Sequence, residues 1–279
     1  RGSLAGNVLL VFQPAEEGAP EGEEGGAELM LKEGIFERFR PEAAVGLHVW
    51  AGLHTGEIAY RGGPFMAAAD AFRIRVKGLQ THGSRPWQGL DPIVVSAQIV
   101  NALQTVVSRQ VDITENPAIV SIGAIKGGIR NNIIPDSVEM VGTLRTFTLE
   151  QRADIVERVK RIVEHTAAAS GTTATFELTP PSVPVTVNDP GLTSRLLPTL
   201  RRVAGEKHVR TAPLVTGTED FAFYGRKVPS LFYFVGVTPR DHDMLREPSN
   251  HSDYFYVDES ALPLAVRSLA EVALDYLRP

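Results

Sequence analysis

The chain has 279 residues, 43% of them hydrophobic, which is enough for one large domain or two smaller ones. Its formal charge of -5 and its lack of a basic stretch argue against nucleic acid as a partner, and no apolar run is long enough to span a bilayer. Because there is no cysteine, the chain forms no disulfide and offers no thiolate, so any metal must be held by His, Asp or Glu.

The first part of the chain alternates strands and helices. Residues 8–12 form a compact apolar run that predicts a buried strand, and residues 27–39 have the periodicity of a helix. Residues 43–49 predict a second strand, and residues 56–63 predict a short extended piece that ends in a turn. This order is typical of an α/β domain.

A different pattern begins at Pro64, where the segment DAFRIRVKG alternates apolar and polar residues, as a strand with one wet face does. It opens a succession of strand, helix, strand, strand, helix and strand that extends to Leu178: residues 70–78, 92–108, 117–128, 137–147, 150–170 and 172–178. This succession is the split βαβ pattern of a ferredoxin-like sandwich.

The first pattern then returns, with a helix at 191–204, a strand at 230–237 and a helix at 258–276. The simplest topology is therefore a ferredoxin-like α+β domain, residues 64–178, inserted into an α/β domain formed by residues 1–63 and 179–279.

Four residues that could carry chemistry lie at matching positions of the α/β pattern. Glu16 and Glu17 follow the first predicted strand, His48 lies at the end of the next one, and His251 precedes the last helix. Sites in open α/β sheets gather at the carboxyl ends of strands, so we expect these side chains to converge on a zinc, manganese or cobalt ion. The alternatives are a solvated charged loop for the glutamates and a buried core residue for His48.

Several motifs, taken together, give the chain a family resemblance. VFQPAEEG, GLHVW, GTEDFAFY and NHSDYFYVDE, in that order, resemble the M20 metallopeptidases, within the branch of N-acyl-amino-acid amidohydrolases that includes hippurate hydrolases and indole-acetyl-amino-acid hydrolases. THGSRPWQGLDPI and NNIIPDSVEMVGTLRTF resemble the inserted lid and dimerisation domain of that branch. The resemblance implies a zinc-peptidase-like catalytic α/β domain, residues 1–63 and 179–279, with residues 64–178 as the lid.

The resemblance also implies a role for individual residues. It makes Glu16 the catalytic base and Glu17, His48 and His251 metal ligands, and it leaves Glu21, Glu23 and Glu24 as solvated loop charge. It makes His82 a lid residue that reaches the neighbouring active site of a homodimer and stabilises the oxyanion. Asn132 and Arg145 become substrate-binding residues, although Asn132 also suits a turn, Arg145 a solvated strand, and His82 a polar surface loop.

One departure from the family pattern concerns the metal. The branch has two further ligands in a Cys-Gly-His-Asp motif upstream of the glutamate pair, and this chain has no such motif. The expectation is therefore that the chain is the C-terminal portion of a longer protein, which would bind two divalent ions (Zn, Mn, Co or Ni). Glu17, His48 and His251 alone are enough for one ion in a His2Glu arrangement, so the fragment is expected to fall short of a full site.

The implied function is metal-dependent hydrolysis of the amide bond of N-acyl or N-aryl-acyl amino acids, with a small-molecule substrate and a homodimer formed through the inserted domain. One alternative is a dipeptidase or carboxypeptidase on the same scaffold. Another is a non-catalytic dimerising or binding fragment. A nucleotide-binding protein is disfavoured, because IKGGIR is not a phosphate-loop pattern. The compartment stays open, with the cytoplasm favoured over the periplasm.

Overall fold

The computed structural model describes residues 4–20 and 22–278. The chain divides into two compact units, one formed by the residues up to Met66 together with those from Thr186 onward, and one by Ala67–Val185. The helices and strands of the first segment are α1 (Gly26–Lys32), α2 (Ile35–Phe39), β1 (Ala44–His54), β2 (Ile58–Tyr60) and β3 (Gly63–Met66). Those of the continuous unit are β4 (Ala68–Lys77), β5 (Thr81–His82), α3 (Pro92–Gln110), β6 (Ile119–Gly127), β7 (Ile133–Ile134), β8 (Ser137–Thr146), α4 (Leu149–Ala169) and β9 (Thr173–Val183). The last segment adds β10 (Thr186–Asn188), α5 (Pro190–Ala204), β11 (Val209–Thr211), α6 (Ala222–Gly225), β12 (Ser230–Thr238) and α7 (Leu262–Tyr276).

The discontinuous unit is built on a four-stranded sheet with the order β1-β12-β2-β11. All nine residues of β12 are buried, because apolar side chains cover both of its faces. Phe232 and Phe234 pack on one side, while Leu231, Tyr233 and Val235 pack on the other with residues of α5 and α7. A continuous apolar run is what such a central strand requires, and the predicted α/β class of this unit is confirmed.

The prediction of a buried strand at residues 8–12 is wrong. These residues have no regular structure, and Leu10 and Phe12 are 71% and 86% exposed. Strand β1 is an edge of the sheet and, among the described residues, pairs only with β12. A hydrophobic run becomes a buried strand only where another strand pairs with its backbone and a further layer covers its side chains. The helix predicted at residues 27–39 is two short helices, separated at Gly34, whose φ is 83°.

The continuous unit has the strand order β6-β8-β4-β9, with all neighbours antiparallel. Helices α3 and α4 cover one face of this sheet, and the alternating residues Phe72, Ile74 and Val76 of β4 point into the core between them. Order and connectivity are those of a ferredoxin-like sandwich.

The two units meet along the chain at positions that differ from the predicted boundaries at residues 64 and 178. Strand β3, which contains Pro64, pairs with β10 and so belongs to the discontinuous unit. Strand β9 continues through the segment TPPSV and still pairs with β4 at Val183. Backbone pairing, which composition does not reveal, moves both boundaries. Among the described residues, no helix is both long and apolar enough to cross a membrane.

A buried ion pair joins three elements of the continuous unit. Asp70, on β4, is 2% exposed and accepts two hydrogen bonds of 2.7 Å from Arg152 of α4. Ser182 of β9 donates a third at 2.6 Å. These bonds satisfy a carboxylate that could not otherwise be buried in its charged form.

We predict that Arg152→Met lowers the free energy of unfolding by about 3–5 kcal/mol, because it leaves the Asp70 charge buried without a partner. Arg158→Met is the matched control on the same helix. Arg158 pairs with the half-exposed Asp154, so its loss should cost less than about 1 kcal/mol. Urea unfolding of both variants measures the difference, and equal losses would contradict the assignment.

Candidate functional site

The glutamate pair lies in the acidic loop, which comprises residues 14–26. The two ends of this loop, which we call its neck, are joined by a hydrogen bond from the Gly26 N–H to the Pro14 carbonyl at 3.0 Å. Ala15, directly before Glu16, has a left-handed φ of 57°, which costs a non-glycine residue about 1 kcal/mol. Glu16 and Glu17 are therefore presented by a sharp, closed turn.

Glu16 lies beside two acidic residues that the sequence analysis did not single out, Glu219 and Asp220. Carboxylate oxygens of the three side chains lie within 4.8 Å of one another. Glu219 and Asp220 are buried, with 6% and 8% of their surface exposed. They lie in the motif GTEDFAFY, where two adjacent acids before an aromatic run were the signal that could have identified them.

The pKa values of all three carboxyl groups are raised. Burial is the main cause for Glu16, and the charges of Asp220 and Glu17 add to it. Burial, followed by the charge of Glu16, raises the pKa of Glu219 to about 8. Burial also raises the pKa of Asp220, against hydrogen bonds from Ala27 and Gln13 that lower it. Without a cation, the cluster relieves its repulsion at neutral pH by keeping a proton on Glu219.

Two of the predicted metal ligands approach each other. Nδ1 of His251 lies 4.0 Å from Oε2 of Glu17. The loop that carries His251 is fixed to β1 by Asn250, whose side chain donates to the Val49 carbonyl at 2.7 Å and accepts from the Ala51 N–H at 3.0 Å. The amide of Asn250 thus pairs with the strand edge as another strand would, directly beyond His48.

His48 is half-buried and has a defined tautomer. Its Nδ1 lies 2.5 Å from the Val49 carbonyl, which can only accept a hydrogen bond, so Nδ1 carries the proton. Nε2 then has a free lone pair, as a metal-ligating imidazole requires. The ring is packed edge-on against Trp50 and Phe234, with centroids 6.4 Å apart in each case.

The predicted ligands Glu17, His48 and His251 are not gathered as tightly as the carboxylates. In the described part of the chain, Glu16, Glu219 and Asp220 are the one set of three potential ligands whose atoms all lie within 4.8 Å of one another. The metal-binding roles of Glu17, His48 and His251 therefore stay predictions.

His82 and Asn132 come together in the continuous unit, although fifty residues separate them. Strand β5 pairs with β7 so that His82 faces Ile133, and the Gly83 N–H donates to the Asn132 carbonyl at 2.8 Å. Nδ1 of the exposed His82 accepts from the backbone N–H of Ser84 at 3.1 Å. The proton of a neutral His82 therefore lies on Nε2, which leaves this atom as an exposed hydrogen-bond donor.

Arg145 does not join that pair. It lies near the end of β8, in register with Ala69 of β4 and Ile119 of β6. Strand β8 begins at Ser137, eight residues earlier, so Arg145 lies about 27 Å along the sheet from the end nearest β7. Within one copy of this unit, His82 and Arg145 are at opposite ends of the sheet.

Comparison with known proteins gives consistent matches. The sequence model of peptidase family M20/M25/M40 matches residues 1–275. Thermostable carboxypeptidase 2 of Saccharolobus solfataricus is 35% identical, over 98% of this chain and 67% of its own length. IAA-amino acid hydrolase ILR1-like 4 of Arabidopsis thaliana is 34% identical, over 98% of this chain and 61% of its own length.

A solved structure has the same fold. A Bacillus subtilis protein, described as a dinuclear metal binding peptidase from the M20 family, superposes with a TM-score of 0.73 at 32% identity. The match covers 95% of this chain and 64% of that protein. The chain thus spans about two thirds or less of the length of these three proteins.

The raised pKa of Glu219 predicts how stability depends on pH. The folded, metal-free protein binds this proton more tightly than the unfolded chain, whose glutamates titrate near 4.5. The stabilisation is therefore complete below about pH 4.5 and is lost as the pH rises through about 8. Over that window we expect the free energy of unfolding to fall by roughly 2–4 kcal/mol.

Glu219→Gln, which keeps an acceptor for the Phe221 N–H, should remove most of this dependence and should be more stable than the wild type at pH 8. The exposed Glu23→Gln makes the same substitution at a solvated position of the acidic loop and serves as the control. Urea unfolding with a chelator at pH 5, 6, 7 and 8 is the measurement. Parallel curves for Glu219→Gln and the wild type would show that the proton is held elsewhere.

Proposed function

We propose, since the chain belongs to peptidase family M20/M25/M40 as its motifs predicted, that the whole protein hydrolyses the amide bond of N-acyl amino acids. The products are a carboxylic acid and an amino acid. The observation that carries this proposal is the carboxylate cluster of Glu16, Glu219 and Asp220, with raised pKa values, beside the Glu17–His251 approach. The name of the Arabidopsis relative, an IAA-amino acid hydrolase, supports this class of substrate.

The donor set suits a divalent cation. Glu17, His251 and the free Nε2 of His48 would hold it, as carboxylate and imidazole ligands of a zinc, manganese, cobalt or nickel ion. The description of the Bacillus subtilis protein supports a pair of such ions in the whole protein. When bound, the metal supplies a Lewis acid that polarises the carbonyl and makes water more acidic.

Glu16 is proposed as the general base. Its pKa is raised by burial and by Asp220, which brings it closer to the pH at which a base transfers protons efficiently. Glu16 would take a proton from the attacking water and pass it to the leaving nitrogen of the amino acid. Arg145 and Asn132 are proposed to bind the substrate, Arg145 as a cation that can pair with the free carboxylate of the amino acid.

His82 is proposed to serve the active site of a second copy in a homodimer. Its Nε2–H is a free donor of the kind that stabilises the oxyanion of a tetrahedral intermediate. The edge strand β6, with Ile119 and Ile125 exposed by 36% and 53%, offers unpaired backbone groups through which two inserted units could pair.

The resemblance to a carboxypeptidase keeps a second activity open. Incubating the purified whole protein with N-acetyl and N-benzoyl amino acids in parallel with dipeptides and carboxyl-blocked substrates separates the two reactions. We expect faster release from the acyl amino acids, loss of activity with a chelator, and recovery with Zn²⁺, Mn²⁺, Co²⁺ or Ni²⁺. Preference for dipeptides would favour the carboxypeptidase, and a protein that retains no metal and hydrolyses neither would favour a non-catalytic binding role.

We predict that Glu16→Gln in the whole protein lowers kcat by at least about 10²–10⁴-fold while leaving the metal content unchanged. Glutamine has nearly the same shape but cannot accept the proton from water. Glu23→Gln in the same loop, a solvated charge, should keep its activity. Metal analysis and steady-state kinetics are the measurements, and near-normal turnover by Glu16→Gln with bound metal would assign the base elsewhere.

We also predict that His82→Ala lowers turnover without loss of metal, since an oxyanion donor lowers the activation free energy by about 3 kcal/mol and binds no metal. Mixing His82→Ala subunits with Glu16→Gln subunits should restore part of the activity, because one site of each mixed dimer then has both residues intact. His165→Ala, an exposed histidine of the same unit, is the control and should have no effect. Verified subunit exchange without recovery would contradict the shared site.

A further inference from the structure

We propose that Asp220 is a positioning residue, which holds Glu16 in place by clamping the two ends of the acidic loop together. Both carboxylate oxygens of Asp220 accept from Nε2 of Gln13, at 2.8 Å each, directly before the loop. Oδ2 also accepts from the backbone N–H of Ala27, at 2.7 Å, directly after the loop. One buried carboxylate thus binds the residues on either side of the neck.

Two residues beside Asp220, Gly26 and Tyr224, fit closely around its hydrogen bonds. Gly26, at the end of the loop, has a φ of 69°, and a Cβ there would lie 2.3 Å from Oδ2 of Asp220. Tyr224 donates from its hydroxyl to Oε1 of Gln13 at 2.8 Å, which turns the NH₂ group of that amide toward Asp220. Tyr224 is itself buried and stacks on Phe36, with ring centroids 5.4 Å apart.

Asp220 also lies directly beside Glu16. Carboxylate oxygens of the two side chains are within 4.8 Å of each other, so the residue that binds both ends of the loop also borders the side chain at its turn. The loop has no helix or strand between residues 14 and 20 to fix its shape. Hydrogen bonds to a charged acceptor are stronger than neutral ones, so this clamp restrains the loop that presents Glu16. The catalytic part of the inference rests on the proposed function, and the structural part does not.

A pair of substitutions tests the clamp by exchanging the hydrogen-bond donor at position 13 with the acceptor at position 220. Gln13→Glu places a second carboxylate against Asp220 and should open the neck. Adding Asp220→Asn should close it again. The asparagine introduced at position 220 can accept from Ala27 and donate to the carboxylate introduced at position 13, which Tyr224 also reaches. The double variant therefore restores a hydrogen bond from position 220 to each end of the loop, with the same net charge as the wild type.

Hydrogen exchange of the acidic-loop amides is the first readout. We expect exchange about 10- to 100-fold faster in Gln13→Glu, and rates near those of the wild type in the double variant. The second readout is kinetic, in the whole protein with metal. Gln13→Glu should lower kcat about tenfold or more with little change in KM, and the double variant should recover. If Gln13→Glu folds poorly, Gln13→Met takes its place in the test. It removes the donor without adding charge, and it should also speed exchange and lower kcat.

Asp189→Ala is the matched control, because it removes a carboxylate that caps α5 through the Leu192 N–H at 2.6 Å, elsewhere in the same unit. It should change neither loop exchange nor kcat. Unchanged loop exchange in both Gln13 variants, or failure of the double variant to restore it, would overturn the clamp. If no acyl amino acid is hydrolysed even by the wild type, the proposed function fails, while the exchange rates still decide the clamp.

Discussion

Repulsion among three partly buried carboxylates is the constraint on which the site depends. Glu16, Glu219 and Asp220 have oxygens within 4.8 Å of one another, and charges at that spacing in a poorly solvated place cannot all persist unaided. Each of the three carboxylates has a different environment in the structure. Asp220 accepts hydrogen bonds from Ala27 and Gln13, Glu219 keeps a proton, and the pKa of Glu16 is raised. The pKa of the proposed base is thus raised mainly by its burial, and the charge of Asp220 adds to that effect.

Two of the histidines that bear on the proposed chemistry, His48 and His82, are distinguished by what their Nδ1 atoms contact. In His48 a carbonyl lies against Nδ1 and leaves Nε2 as a lone pair, which suits metal binding. In His82 a backbone N–H points at Nδ1 and leaves Nε2 as a donor, which suits an oxyanion. Both contacts come from residues close in sequence, Val49 and Ser84. The chain therefore selects opposite tautomers locally, before any tertiary contact or ligand is considered.

Much of the fold was predictable because local patterns and tertiary contacts agree. The alternation in β4 and the continuous apolar run of β12 each identify a strand by the surface that it must bury. Residues 8–12 show the limit of such reasoning. Their apolar composition resembles that of β12, but a strand needs partners on its backbone, and composition does not say whether these partners are present. The domain boundaries moved for the same reason, since the pairing of β3 with β10 cannot be read from either segment alone.

The site residues that could be predicted are those whose position follows from their neighbours in the sequence. Glu16 and Glu17 could be proposed from the sequence because they follow a predicted strand directly. Glu219 and Asp220 were not proposed, although the adjacent acids of GTEDFAFY are visible in the sequence, because their importance lies in contacts with residues about 200 positions earlier. A two-residue acidic step beside aromatic residues is a common helix-start pattern, and only the packing of the GTEDFAFY segment against the acidic loop gives it another meaning. Charged residues inside an apolar motif are therefore best judged by what could compensate them. For Asp220 that compensation comes from the neck of the loop that carries the proposed base.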